Sequence, residues 1–138
     1  KAAEKINCMN AKIVYIFEGI IALYFTKMID KKRYCFDIDG TICNNTYGEY
    51  EKASPIFERI QRINELYDEG HYIIYLTARG MGTCDGNINL AYAKWYHFTF
   101  NQLSEWGCKF HELYLSKPNA DHYIDDKGIS DFNFFDLR

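Results

Sequence analysis

The stretch Tyr72-Ile73-Ile74-Tyr75-Leu76-Thr77 carries no charge and shows no alternation of polar with apolar residues. It is too short for an amphipathic helix, and Gly70 and Gly80 bracket it. Such a run reads as a strand buried on both faces, the situation of a parallel sheet covered by helices. Tyr34-Cys35-Phe36-Asp37-Ile38, which then meets Gly40, reads the same way. Between the two, Ser54-Pro55 predicts a helix start, with Ser54 as N-cap and Pro55 at the first helical position. Its apolar stripe is Ile56, Ile60, Ile63, Leu66 and Tyr67, and Gly70 ends it. A second helix is expected from Asn89 to Trp106, stopped by Gly107. Glu112-Leu113-Tyr114-Leu115 and His122-Tyr123-Ile124-Asp125 complete the pattern as short strands. Strands alternating with helices predict an α/β layer fold with a mostly parallel sheet.

A chain of 138 residues accommodates one compact domain. Hydrophobic residues make up 48% and charged residues 25%, a balance that excludes a disordered chain. Residues 1–30 read as a hydrophobic N-terminal extension and residues 31–138 as the domain proper. In the extension, Ile13 to Thr26 is nearly all apolar, with Lys1, Lys5 and Lys12 ahead of it. A basic lead before an apolar stretch suits a signal peptide or anchor. Glu18 and Gly19 interrupt it, however, short of the roughly 18 apolar residues that a membrane span needs. A helix or strand packed on the domain, or a loose extension, is the stronger reading, and membrane association is not expected.

Net charge narrows the partners. The chain carries −3 overall, and from residue 31 onward 12 basic residues face 16 acidic ones. Proteins that coat nucleic acid draw affinity from a basic face, so stable nucleic-acid binding is not expected. The five cysteines, odd in number and without a C-x-x-C pair, read as reduced thiols of a cytoplasmic protein.

Four chemical features fall at the C-terminal ends of the expected strands, where open α/β sheets bind ligands. They are Asp37-Ile38-Asp39-Gly40-Thr41, Thr77-Ala78-Arg79-Gly80, Lys117 before Pro118, and Asp125-Asp126. Each alone has an ordinary structural explanation: a turn, a strand residue, a surface lysine, a solvated strand end. Together they form a constellation of carboxylates, a hydroxyl and cations. Carboxylates converging in one crevice would repel one another and an anionic substrate unless a hard cation sat among them, and oxygen-only ligands select Mg²⁺ over zinc. Cys84, His97, Cys108 and His111 form a weaker set, too widely spaced for a zinc site.

The series DIDGT, LTAR, SKP and YIDDK, in that order from about Arg33 to Asp131, resembles the haloacid-dehalogenase-like (HAD) phosphohydrolase superfamily. LTARGMG, SEWG and SKPNADHYIDDKGI are similar, more narrowly, to small cap-less phosphatases of capsule or polysaccharide biosynthesis. The resemblance implies a Rossmann-like three-layer sandwich without a cap domain. The 40-residue gaps from Asp37 to Thr77 and from Thr77 to Lys117 leave no room for an inserted cap. An open site admits bulky substrates or takes a lid from a second copy in a homo-oligomer.

The resemblance also implies roles. Asp37 would be the nucleophile that forms an aspartyl-phosphate, and Asp39 the general acid and base. Gly40, Thr41, Thr77, Ala78, Arg79 and Lys117 would bind the phosphate. Asp37, Asp39, Asp125 and Asp126 would hold Mg²⁺, with Asp37, Asp39 and Asp125 converging on one metal-sized space. The expected activity is Mg²⁺-dependent hydrolysis of a small phosphorylated substrate, a sugar or sugar-derived metabolite. The alternatives are a nucleotidase or nucleic-acid end phosphatase, with Arg79 and helix aromatics on a base, and a non-catalytic phosphate-binding module.

Overall fold

The computed structural model describes residues 13–17, 20–24 and 30–136. Its internal contacts divide the chain into two units, Lys1–Lys31 and Lys32–Arg138. In the first unit, β1 (Ile13–Phe17) and β2 (Ile20–Tyr24) pair antiparallel, in a register that sets Phe17 opposite Ile20 and Ile13 opposite Tyr24. The apolar stretch of the extension is therefore strand where described, and its remainder lies outside the described residues. Among the described residues no helix is long and apolar enough to cross a membrane.

The second unit is α/β. Its sheet contains β3 (Arg33–Phe36), β4 (Tyr72–Leu76) and β5 (Glu112–Tyr114), all parallel, in the order β3-β4-β5. The least polar run of the sequence occupies the centre. Ile73 and Tyr75 are wholly buried on one face of β4, and the alternate residues are half-buried. Helix α1 (Phe57–Asp68) connects β3 to β4, and α2 (Ile88–Glu105) connects β4 to β5. Ile60, Ile63 and Leu66 of α1 join Phe36, Ile38, Tyr75, Leu103 and Leu115 in one core. Each such aliphatic side chain contributes about 1.5–3 kcal/mol on burial.

Both helices end as their sequences predict. After α1 the amides of Gly70 and His71 return to the carbonyls of Tyr67 and Leu66, and after α2 those of Gly107 and Cys108 return to Ser104 and Leu103. The start of α1 differs from expectation. Ser54 does not cap it: its amide donates to Asn44 Oδ1, and Pro55 forms a bridge with Cys43. The segment is already engaged by the preceding loop, so the helix begins two residues later, with Ile56 in the N-cap position and no side-chain cap. Asn87 caps α2, its side chain accepting from the Leu90 amide at 3.2 Å.

The strand expected at His122–Asp125 is not formed. Local bonds take its place. The Tyr123 hydroxyl donates to the Pro118 carbonyl and accepts from the Ala120 amide, folding the segment on itself. Asp125 Oδ1 accepts from the amides of Lys127 and Gly128. Such bonds compete with a strand ladder, and Ile124 is left 94% exposed. Beyond this segment a short helix, α3 (Asp131–Asp136), returns to the core. Phe134 meets Phe36 edge-on at 5.4 Å, and Arg59 pairs with Asp131 while donating to the Thr41 carbonyl at 3.0 Å.

Candidate active site

Parallel strands in register deliver their C-terminal residues to one edge of the sheet. Asp37 follows β3 directly, and Thr77 follows β4. The ladder continues past the named strands: the Thr77 amide donates to the Tyr114 carbonyl at 2.9 Å, and the Lys117 amide donates to the Thr77 carbonyl at 3.2 Å. Backbone pairing thus brings Lys117, remote in sequence, beside Asp37. The Lys117 ammonium lies 3.2 Å from Asp37 Oδ1, and the Thr41 hydroxyl donates to Asp37 Oδ2 at 3.3 Å. Burial holds the Asp37 carboxyl above its ordinary range, and the charge of Lys117 opposes that rise. On its other side the Lys117 ammonium sits 4.3 Å from the centre of the Tyr123 ring.

The loop after β3 is a compact turn. Gly40 has φ of +83°, a conformation that favours glycine, and its amide donates to the Cys43 carbonyl at 2.9 Å. The Thr41 amide donates to the Ile38 carbonyl at 3.0 Å. These two amides, expected to face the phosphate, are engaged within the turn. What the turn does is set Asp39 back toward α2. Cys43, wholly buried beneath it, has its thiol within 3.6 Å of Asp39 Oδ1, and burial with that carboxylate pushes the thiol pKa up to about 12.

Asp39 is held by Arg79 in a two-pronged ion pair. Arg79 Nε donates to Asp39 Oδ2 at 2.8 Å, and Nη2 donates to Oδ1 at 2.9 Å. The third nitrogen, Nη1, donates to Gln102 Oε1 at 2.8 Å and Thr99 Oγ1 at 3.3 Å. With 1% of its surface exposed, Arg79 has every nitrogen committed to protein. Its partners here are Asp39 and the α2 side chains rather than the open space expected for a phosphate. Thr77, equally buried, accepts from the Arg79 amide through its hydroxyl at 3.2 Å, and the Ala78 carbonyl accepts from Met81 at 2.9 Å. Both residues shape the turn that aims Arg79.

Asp125 and Asp126 lie on the exposed segment that the strand was expected to occupy. Carboxylate oxygens are the donors Mg²⁺ prefers, and the half-buried Asp37 carboxyl is a group whose charge a cation would offset, so the residue chemistry fits that ion. Among the described residues, however, no three Asp, Glu, His or Cys side chains gather closely enough to hold a metal. The structure joins Asp37, Asp39, Thr41, Thr77, Arg79 and Lys117, and does not bring Asp125 and Asp126 into a metal-sized cluster with them. The weaker Cys/His set is dispersed as well. His111 Nδ1 accepts from the Ile73 amide at 3.0 Å, its ring stacked on Tyr72. His71 is buried and accepts from the Lys32 amide at 3.1 Å.

Three residues absent from the sequence reading complete the site. Tyr50, in the short 3-10 turn Tyr50–Lys52, lays its ring 4.8 Å from the Arg79 guanidinium. Its hydroxyl accepts from the Gly80 amide at 3.1 Å. Its carbonyl accepts from Gln102 Nε2 at 2.8 Å. Thr99 and Gln102 are buried polar residues one turn apart on α2, and that polar pair beside Leu103 was the legible signal.

No family model matches the chain, and no curated protein matches it. Among solved structures, the crystal structure of an MCSG target from Vibrio cholerae is similar over 78% of this chain and 89% of its own, with 25% sequence identity and a TM-score of 0.71. The likeness is one of fold, and it agrees with an α/β domain built on a parallel sheet.

Proposed function

We propose that the protein is a phosphomonoester hydrolase of the HAD-like, cap-less, three-layer kind. The observation that carries this reading is Lys117 at 3.2 Å from Asp37, at the strand-end edge where Asp39 is separately clamped by Arg79. Two neighbouring carboxylates therefore occupy different surroundings, one faced by a lysine and partly open, the other held by a buried arginine. The resemblance makes Asp37 the nucleophile and Asp39 the proton carrier; to carry a proton, one Asp39 oxygen has to leave the Arg79 fork that holds both. In the proposed reaction an Asp37 oxygen bonds to phosphorus as the ester bond breaks, and Asp39 gives its proton to the departing oxygen. Water then attacks phosphorus, its proton passes to Asp39, and the bond to Asp37 breaks to release phosphate. Lys117 keeps the dianion from repelling Asp37. The resemblance assigns Mg²⁺ to Asp37, Asp39, Asp125 and Asp126, which do not form one cluster among the described residues; bound among them, the ion would offset the remaining charge between carboxylates and substrate.

The sugar-phosphate class follows from the resemblance of LTARGMG and SKPNADHYIDDKGI. The nucleotide alternative drew on Arg79 reaching a base, and Arg79 is buried on Asp39. A phosphate-binding module without turnover remains the rival from another class. A panel of phosphorylated sugars, nucleotides and a 3′-phosphorylated oligonucleotide, with and without Mg²⁺, tests the reading. Mg²⁺-dependent phosphate release from small esters is expected, and binding without release would favour the module.

A further inference from the structure

A buried arginine with two partners on one carboxylate and two more on a helix transmits the position of that helix to the carboxylate. Gln102 is the junction. Its Oε1 accepts from Arg79 Nη1 at 2.8 Å while its Nε2 donates to the Tyr50 carbonyl at 2.8 Å. One amide side chain therefore fixes both the arginine and the loop whose aromatic ring lies against it. Gln102 is 8% exposed and Arg79 1%, so solvent has little opportunity to replace either bond. Asp39, 18% exposed at its side chain, is the member of the chain that reaches the site opening.

We propose that Gln102, assisted by Tyr50, is a positioning residue that holds the Arg79 fork and through it aims Asp39 at the leaving-group oxygen. The inference rests on the phosphatase reading and adds to it a dependence of proton transfer on α2. The role assigned to both is contact with Arg79. Loss of Gln102 leaves Nη1 with only the longer Thr99 bond, and the fork is then free to rotate. A displacement of about 1 Å can cost on the order of a hundredfold in rate.

The test exploits the leaving group. An alkyl phosphate needs its departing oxygen protonated, whereas 2,4-dinitrophenyl phosphate expels a stable phenolate without help. With Gln102→Met, kcat/KM on the alkyl ester is expected to fall by about 10–100-fold, within the span of a partial general-acid loss. On the dinitrophenyl ester it should change less than about threefold, because that expulsion needs no acid. Gln102→Glu restores an oxygen acceptor for Arg79 but sets a second oxygen against the Tyr50 carbonyl, so it should recover only part of the alkyl activity. Equal losses on both esters, or no loss on either, overturn the proposal. Tyr50→Leu, on the loop side of the same network, gives a second reading if Gln102→Met fails to fold: the same leaving-group split supports the proposal, and its absence overturns it. If the unsubstituted protein hydrolyses neither ester, the phosphatase reading itself falls, an outcome distinct from failure of the split.

Discussion

Arg79 and Asp39 form a two-pronged ion pair at 2.8 and 2.9 Å in which the arginine is buried and the aspartate is not. The asymmetry matters because a buried charge that loses its partner costs more than one that can turn to water. Asp39→Ala strands the Arg79 guanidinium and is expected to lower stability by about 3–5 kcal/mol. Arg79→Met leaves Asp39 with access to solvent and should cost less. Urea unfolding of both variants checks the order, and equal losses would contradict it.

Among the described residues Lys117 has one acidic partner, Asp37, and an aromatic neighbour, Tyr123. Lys117→Met removes the charge that faces both the nucleophile and the incoming dianion. Turnover should fall by about a hundred- to a thousandfold, as for loss of one preorganised electrostatic contact. Lys117→Arg should not restore it fully, since a planar guanidinium cannot replace a point charge at one carboxylate oxygen. Steady-state kinetics on a small phosphate ester decides. Near-normal rates in Lys117→Met would remove the lysine from the mechanism.

Gly80 and Gly86 both have positive φ, +80° and +73°, yet their surroundings differ. A Cβ on Gly80 would lie 2.8 Å from Trp95 Cδ1 and 3.1 Å from Ala91 Cβ, whereas Gly86 faces open space. Gly86→Ala should cost only the backbone strain, about 1–3 kcal/mol. Gly80→Ala should cost more and also disturb Asp39, because the Gly80 amide binds Tyr50. Thermal melts of the two variants, with activity measured alongside, test the difference.

Alkaline stability follows from a half-buried thiol. Burial pushes Cys108 from 9.0 up to about 11. The native state thus holds this proton more tightly than the unfolded chain does. The associated stability is complete below about pH 9 and is lost as pH rises through about 11. Urea midpoints should decline across that window, and Cys108→Ala should flatten the decline. A midpoint that ignores pH in both proteins would contradict the assignment.

How far the sequence revealed this arrangement depends on the range of the interactions. Apolar runs placed β3 and β4, and Gly70 and Gly107 marked helix ends, because period and chain stiffness are local. The start of α1 was misjudged because Ser54 donates its amide to Asn44, ten positions away. The His122–Asp125 strand failed where hydrogen bonds within the segment outcompeted a ladder that only tertiary pairing could reward. At the site, the gathering of Asp37, Thr77 and Lys117 at one sheet edge was legible from strand ends. The burial of Arg79 was not, since its partners Gln102 and Tyr50 lie 23 and about 30 positions away and carry no motif of their own.

The central claim is that the Asp37 carboxylate attacks phosphorus. Asp37→Asn preserves shape and removes the attacking charge, so the decisive measurement is phosphate release from a small phosphomonoester with Mg²⁺, alongside a thermal melt of each protein. The account predicts clear release by the unsubstituted protein, none by Asp37→Asn, and closely similar melting. Release by Asp37→Asn at an undiminished rate would contradict it.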